Sequence, residues 1–291
     1  MNEVSLWRQA LAQQIAEYYM ANPKVMAVIV EGSVALGCAD RFSDIDLVVF
    51  WSESPKAKAR RAIIKHAGGV QGSFYPFHRK DGGWSEHFEL EGIAIDVRHM
   101  TVETFERTMT DILERGDSSL IKQQHLAAIL SALPLSDPKL LIHWQKQARA
   151  YPQELSMTMV QTYLHFRPAW EQEMMAERND LLVLYESFCT TQQRLLLSFM
   201  GLNHLYYPGF KRIDQVMRQM SISPPQLATR FNQLFGVVSI DPLAAVYQLQ
   251  ELIEETFVLV ETYLGEIDLS EARAQFQEGR ANWRHQPDRL L

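Results

Sequence analysis

Three aspartates, Asp44, Asp46 and Asp96, have the surroundings expected of a metal-binding catalytic site. Asp44 and Asp46 start the segment Asp44-Ile45-Asp46-Leu47-Val48-Val49-Phe50, and strand alternation puts both carboxylates on one face. A divalent cation best relieves their mutual repulsion, and Mg²⁺ prefers such oxygen ligands. Asp96 interrupts the apolar segment Ile93 to Val97, where an unpaired acid is costly, so we expect it to face an opening or a cation.

The segment before the aspartate pair has the features of a phosphate-binding turn. The apolar run from Val25 to Val30 predicts a buried strand, and Glu31-Gly32-Ser33 follows it. Gly32 allows the backbone to approach a ligand closely, Ser33 adds a hydroxyl, and the amides that follow can bind phosphate oxygens. A Gly-Ser turn or an Asp-x-Asp pair alone is more often an ordinary turn or a solvated strand end. Their order along the chain is what points to chemistry.

The first hundred residues alternate between helix and strand patterns. Apolar residues at helical spacing predict a helix over 4–20, and a proline start with basic residues on one side predicts another over 55–67. β-branched and aromatic runs bounded by turn residues predict strands. These strands cover 25–30, 44–50, 72–79, 84–90 and 93–96, with turns at 80–83 and 91–92.

Helical patterns replace strand patterns from about Thr101 onward. Prolines separate the predicted helices, which cover 101–115, 118–131, 137–150, 155–176, 178–200, 211–220, 224–235 and 241–265. The fold class predicted is therefore α+β. A first domain, 1–115, holds a mixed β-sheet flanked by helices, and an all-α helical bundle follows over 116–291.

Composition restricts the classes of partner. Hydrophobic residues make up 47% and charged residues 22% of the 291, which is typical of a globular protein, and no apolar run reaches membrane-spanning length. A net charge of −7 disfavours binding to a nucleic-acid backbone. Cys38 and Cys189 lie far apart, and the N-terminus lacks signal-peptide features, so we expect a cytoplasmic protein without disulfides. The many apolar helices make homodimerisation through the bundle a weaker expectation.

The order of the motif residues resembles the nucleotidyltransferase superfamily of the DNA polymerase β type. In that family an apolar strand leads to Gly-Ser, then a spacer, Asp-x-Asp, and a third Asp on a later strand. Here ten residues separate Ser33 from Asp44, and Asp96 is the third acid. The pattern Glu-Gly-Ser-x-x-x-Gly-x-x-Asp-x-x-Ser-Asp-x-Asp-Leu looks like the bacterial small-molecule branch, which includes the aminoglycoside and lincosamide nucleotidyltransferases. The resemblance covers residues 25–100.

The resemblance implies transfer of a nucleoside monophosphate, with AMP from ATP as the expected case, to a hydroxyl of a small molecule, with release of pyrophosphate. An aminoglycoside-like antibiotic is one candidate acceptor. Two Mg²⁺ ions would be held by Asp44, Asp46 and Asp96, while Gly32 and Ser33 would bind the β- and γ-phosphates and Ser43 would add a hydroxyl contact.

Further residues are candidates for the same reaction. A second, weaker likeness covers Leu202 to Lys211, and it suggests Lys211 as a source of positive charge for the triphosphate. Arg178 is a similar candidate, although it has acidic neighbours on its predicted helix with which it could pair instead: Glu171, Glu173 and Asp180. A glutamate acts as general base in some of these enzymes; Glu89, Glu91 and a residue of the bundle all stay open here.

Two other functions remain as alternatives. A related nucleotidyltransferase could modify a protein side chain instead of a small molecule. A protein of this fold could also bind a nucleotide without turnover, but such a protein is expected to have lost one of the three carboxylates, and this chain has all three. A template-independent RNA polymerase is disfavoured by the acidic charge and by the lack of a basic RNA-binding face.

Overall fold

The computed structural model describes residues 1–279, which form two compact units. The first unit comprises residues 1–152 together with Tyr206–Pro208, and the second comprises 153–205 and the residues from 209 onward. The last part of the predicted helical domain, 280–291, lies outside the described residues.

A six-stranded mixed sheet lies at the centre of the first unit. Its strands follow the order β3-β4-β5-β2-β1-β6 across the sheet. β2 and β5 are parallel, and the other neighbouring pairs are antiparallel. The strands are β1 (Val25–Glu31), β2 (Ile45–Trp51), β3 (Val70–His78), β4 (Gly83–Leu90), β5 (Ile93–Thr101) and β6 (Leu133–Pro134).

Six helices accompany this sheet: α1 (Glu3–Met20), α2 (Gly32–Ala35), α3 (Ala57–His66), α4 (Val102–Leu113), α5 (Leu120–Ser131) and α6 (Lys139–Ala148). One face of the sheet forms an apolar core with α1 and α3, to which Ile15, Val28 and Ile64 belong. On the other face Phe50 packs against Phe105 of α4 and Trp144 of α6, with ring centroids 4.7–5.3 Å apart. This second face is where the candidate site lies, beside the part covered by helices.

The described residues of the second unit form helices only. α7 and α9 pack closely where they cross. The Ser156 hydroxyl donates to the Gly201 carbonyl at 2.7 Å, and a Cβ on Gly201 would lie 2.8 Å from the Met159 side chain. The helices are α7 (Gln153–Tyr163), α8 (Ala169–Glu177), α9 (Leu181–Leu202), α10 (Ile213–Met217), α11 (Leu227–Val238), α12 (Pro242–Tyr263) and α13 (Ser270–Phe276).

The α+β class, with a mixed sheet flanked by helices and a helical region after it, is confirmed. The single helix predicted over 155–176 is wrong, since α7 ends at Tyr163 and α8 begins at Ala169. Pro168 explains the break: it cannot donate a helical hydrogen bond, and it restricts the residue before it. The short elements α2, β6 and α13 were not predicted.

The compact units divide the chain at a different place from the predicted boundary between 115 and 116. Helices α5 and α6 belong to the first unit, because they pack on β1 and because the segment after α5 adds β6 to the sheet. The Leu135 amide donates to the Val28 carbonyl at 2.9 Å and extends this pairing. Within residues 1–279, every helix is too short or too polar to span a lipid bilayer.

Candidate active site

The three predicted aspartates come together on the sheet. One carboxylate oxygen from each of Asp44, Asp46 and Asp96 lies within 4.8 Å of the others, and all three residues are half-buried. Asp46 on β2 stands directly opposite Asp96 on the parallel strand β5, whereas Asp44 immediately precedes β2. Adjacent parallel strands thus supply two of the acids, and the entry to β2 supplies the third.

Strand register extends this pair into a row of polar residues. Across five strands, from β3 to β1, the row reads Ser73, His87, Asp96, Asp46 and Glu31, each paired with the next. Because residues in register on neighbouring strands point to the same face, the five side chains share one surface of the sheet. The aspartates are therefore the centre of a polar strip and not an isolated cluster.

Gly32 lies against the Asp46 carboxylate. Its φ of +65° falls in the left-handed region, and a Cβ built on it would lie only 2.2 Å from Asp46 Oδ2. Any larger residue would both strain the backbone and displace this carboxylate. The group that lies close to Gly32 is thus a carboxylate of the protein itself, and the approach of a ligand to Gly32 stays a prediction.

Negative charge concentrates around Asp46. Burial and the nearby carboxylates of Asp44, Glu31 and Asp96 raise the pKa of Asp46 from 3.8 to about 7, while Arg98 partly opposes the shift. Arg98 Nη2 donates to both oxygens of Glu31 at 2.9 Å, so this guanidinium already has an acidic partner. A proton or a bound cation can therefore neutralise the negative charge of the Asp46 carboxylate.

His87 contacts the third aspartate. Its Nδ1 lies 2.5 Å from Asp96 Oδ1, and both side chains are about half exposed to solvent. With Nδ1 occupied in this way, the opposite ring nitrogen is the one left to face other groups. His87 therefore belongs to the site.

The serines predicted to bind phosphate have different environments. Ser33 Oγ is buried and has no hydrogen-bond partner, which is unusual for a hydroxyl and fits a group that awaits a ligand. Ser43 Oγ instead accepts from the Asp40 amide at 2.9 Å and donates to Asp40 Oδ1 at 3.1 Å. Ser43 thus stabilises the turn that leads into Asp44, and its contact with phosphate stays a prediction.

The remaining predicted residues are Arg178, Lys211, Glu89 and Glu91. Arg178 follows α8 and Lys211 precedes α10; both are exposed and belong to the second unit, and their role in phosphate binding stays a prediction. Lys211 does not start a helix over 211–220 as predicted, because α10 covers Ile213–Met217 only. Glu89 is exposed near the end of β4 and Glu91 lies in the turn after it, with a φ of +54°.

A cleft of about 490 Å³ opens over the polar strip. It reaches from Glu31 and Asp46 past Asp96 and His87 to Ser73 on β3. Neither Glu89 nor Glu91 lines it. A space of this size accommodates a small molecule or the reactive part of a larger one.

The residues present fit a bound divalent cation and a phosphate group. Three converging carboxylates are hard oxygen ligands of the kind that Mg²⁺ uses. Burial and the neighbouring carboxylates raise the pKa of Asp46, and a bound cation would offset both effects. The unpartnered Ser33 hydroxyl supplies a donor next to Gly32.

Three site residues escaped prediction: Glu31 and Arg98 as an ion pair, and His87 as the partner of Asp96. Arg98 had a signal in the sequence, because it follows Asp96 by two positions on a strand and so shares its face. His87 had none, because the register between β4 and β5 decides its position.

Comparisons with known protein families match both parts of the chain. Residues 13–116 match a family described as "Nucleotidyltransferase domain", and residues 119–212 match "Domain of unknown function (DUF4037)". No curated protein matches the sequence.

Three solved structures are similar to this chain at low sequence identity. A nucleotidyltransferase-like protein from Exiguobacterium sibiricum 255-15 is 14% identical over 92% of this chain and 86% of its own, with a TM-score of 0.42. A cytoplasmic RNA terminal U-transferase is 15% identical over 45% of this chain and 40% of its own, with a TM-score of 0.27. The Cid1 poly(U) polymerase is 16% identical over 43% of this chain and 39% of its own, with a TM-score of 0.26.

The family match spans α2, β2 and most of the sheet, and it includes all three aspartates. Residues 13–116 are therefore similar to nucleotidyltransferase domains, and the helical region that follows begins with a match to the domain of unknown function.

Proposed function

We propose that this protein is a Mg²⁺-dependent adenylyltransferase that moves AMP from ATP to a hydroxyl of a small molecule. The observation that carries the proposal is the convergence of Asp44, Asp46 and Asp96 within 4.8 Å inside a nucleotidyltransferase domain. Two Mg²⁺ ions held by these carboxylates would neutralise charge on the triphosphate and on the leaving pyrophosphate.

The protein's own residues position the reactants. Ser33 donates its unpartnered hydroxyl to a terminal phosphate oxygen of ATP, and Gly32 keeps the Asp46 carboxylate beside it. The acceptor hydroxyl attacks the α-phosphorus and forms a new P–O bond. The bond between the α-phosphorus and its bridging oxygen breaks, and pyrophosphate leaves with the electron pair. The hydroxyl proton passes to a base, for which Glu89, Glu91 and a residue of the bundle stay the predicted candidates. Positioning and charge neutralisation supply most of the rate enhancement.

Pyrophosphate release from ATP with Mg²⁺ tests the proposal. The protein would be incubated with a panel of aminoglycosides, lincosamides and hydroxylated metabolites, and products would be identified by mass spectrometry. We expect release that depends on an acceptor and that Asp46→Asn abolishes. Asp137→Asn is the matched control, because Asp137 is exposed and asparagine can keep its contact with the Lys139 amide. Wild-type protein that fails to bind Mg·ATP would refute the proposal.

A protein acceptor is the second candidate. If wild-type protein binds Mg·ATP but modifies nothing in the panel, intact-mass measurement of lysate proteins after incubation with ATP would reveal an added AMP group. The absence of any added mass would leave nucleotide binding without transfer as the function.

A further inference from the structure

The half of the cleft beyond Asp96 carries a second row of side chains next to the polar strip. Tyr75, Ser85 and Arg98 stand in register on β3, β4 and β5, one step along the strands from Ser73, His87 and Asp96. All six line the cleft. The surface beyond Asp96 thus comprises two residues along each strand and two strands, β4 and β3. Its width across these two strands is about 10 Å at the usual strand spacing.

This surface lies on the side of the aspartates that the phosphate-binding residues do not occupy. Gly32 and Ser33 follow β1, which lies on one side of β2 in the strand order. β4 and β3 lie beyond β5, toward the opposite edge of the sheet. If ATP places its terminal phosphates near Ser33, the acceptor has the β4 and β3 side available. We call the four side chains Ser73, Tyr75, Ser85 and His87 the acceptor strip.

The acceptor strip contains no carboxylate that could hold an ammonium group. Four carboxylates are among the described residues that line the cleft: the proposed function assigns Asp46 and Asp96 to the metal ions, and Glu31 is paired with Arg98. Glu86 points to the other face, where Arg60 and His99 hold its two oxygens at 2.6 Å. Ammonium groups bind most strongly to carboxylates, and the acceptor strip supplies none.

The acceptor strip instead offers hydroxyls, an imidazole and an aromatic ring. Tyr75 is 53% exposed, so its ring presents an apolar surface with a polar tip to the cleft. Ser73 and Ser85 can both donate and accept hydrogen bonds. Apolar ring contact combined with neutral hydroxyl contacts suits a sugar-like molecule, whose ring has apolar faces and many hydroxyls.

We infer that the acceptor is a neutral, sugar-like polyhydroxyl compound and not a cationic aminoglycoside. This inference rests on the proposed adenylyl transfer and deepens it by naming the acceptor class. The strip binds the ring of the acceptor, and one of its hydroxyls lies toward Asp96.

The test compares two acceptor classes at equal concentration. Methyl α-D-glucopyranoside, sucrose and myo-inositol form the neutral arm, and kanamycin forms the cationic arm. Pyrophosphate release and the mass of the adenylylated product are measured for each, while Mg·ATP binding is measured separately. We expect transfer in the neutral arm and none to kanamycin.

Variants of the strip locate the binding. Tyr75→Ala should raise the KM for the neutral acceptor about tenfold without changing the KM for ATP, and Tyr75→Phe should keep most of the affinity because the ring remains. Phe77→Ala is the matched control. Phe77 is an exposed aromatic residue on the same strand, its ring packs at a tilt against Trp84, and it does not line the cleft.

Each other outcome overturns the inference. Transfer to kanamycin, or transfer to a neutral acceptor with an unchanged KM in Tyr75→Ala, refutes the role of the strip while the proposed function stands. Intact ATP binding with no transfer in either arm refutes the acceptor class. Loss of ATP binding by the wild-type protein would refute the proposed function itself.

Discussion

The acids on the two faces of the central sheet have opposite surroundings. On the face covered by α1 and α3, the Glu86 carboxylate receives hydrogen bonds from Arg60, His99 and Tyr19, at 2.6 to 3.2 Å. On the other face, Asp46 has three further carboxylates as neighbours, and Arg98 is engaged by one of them. Glu86 and His87 are adjacent in sequence, so one strand contributes to both arrangements.

The acid on one face has a structural role, and the acids on the other face are suited to a chemical role. Trp51 Nε1 donates to His99 Nδ1 at 3.0 Å, so the proton of the neutral ring is on Nε2, where it is donated to Glu86. Burial lowers the pKa of His99, which keeps that ring neutral. The Glu86 carboxylate has its hydrogen-bond partners within the chain. The aspartates on the other face lie close to one another, which suits the binding of a cation in the proposed function.

The largest expected effect is on activity. Asp46→Asn should lower kcat/KM for adenylyl transfer at least about 1,000-fold, because a lost ligand removes several kcal/mol of charge stabilisation in the transition state. The free energy of unfolding without metal should stay equal or rise, since the change removes repulsion. Initial-rate kinetics and urea unfolding in EDTA check both statements. A strongly destabilised variant would contradict the contrast between the faces.

Glu86→Gln should have the opposite profile. Removing this charge leaves Arg60 buried without its ion-pair partner, at a cost of about 3–5 kcal/mol in the free energy of unfolding. Activity of the folded fraction should stay within a few fold of wild type. Urea unfolding monitored by circular dichroism measures the loss. Glu53→Gln, at an exposed ion pair with Lys24, is the control and should change stability little.

The metal-free protein should respond to pH through Asp46. Because the pKa of Asp46 is raised from 3.8 to about 7 by folding, the protonated form stabilises the folded state, and this stability is lost as pH rises from about 4 to 7. The lowered pKa of His99 acts oppositely, since its contribution is lost as pH falls. Melting temperatures of wild type and Asp46→Asn in EDTA separate the two contributions.

The advantage of Asp46→Asn over wild type should grow between pH 4 and 7 and then level off. Adding Mg²⁺ at pH 7.5 should raise the melting temperature of wild type more than that of the variant. A constant difference across this pH range would contradict the unbalanced charge at Asp46.

The smallest expected effect concerns Ser33. Ser33→Ala should raise the KM for ATP about tenfold, the value of one hydrogen bond to a charged group, and should leave the melting temperature nearly unchanged because the hydroxyl has no partner in the protein. Ser131→Ala serves as the control, since that hydroxyl bonds carbonyls of its own helix. An unchanged KM would show that Ser33 does not meet the nucleotide.

Local sequence patterns were enough to predict the strands and the three aspartates. β1 and β2 are apolar runs that end or begin at motif residues, so their positions follow from the residues alone. The Glu31–Arg98 pair joins β1 to β5 across the intervening strand β2. The His87–Asp96 contact joins the neighbouring strands β4 and β5. Both depend on strand order and register, which arise from packing of the whole sheet and leave little trace in a single sequence.

The errors in the helical region have a different origin. Pro168 gave a signal for the break after α7, but the apolar periodicity continues through it. The two-residue strand β6 is too short for alternation to be visible, and only its pairing with β1 defines it. The end of α7 could therefore be predicted from local chemistry, whereas β6 could be predicted only from tertiary structure.

The first unit is discontinuous, and this has a consequence for synthesis on the ribosome. Tyr206 donates its hydroxyl to the Ala148 carbonyl at 2.9 Å and stacks near Tyr151, while the Tyr207 amide donates to Gln123. The first unit therefore cannot complete its packing when residue 152 leaves the exit tunnel. It must wait for about fifty further residues of the helical region, so a gene fragment that stops at 152 encodes an unfinished unit.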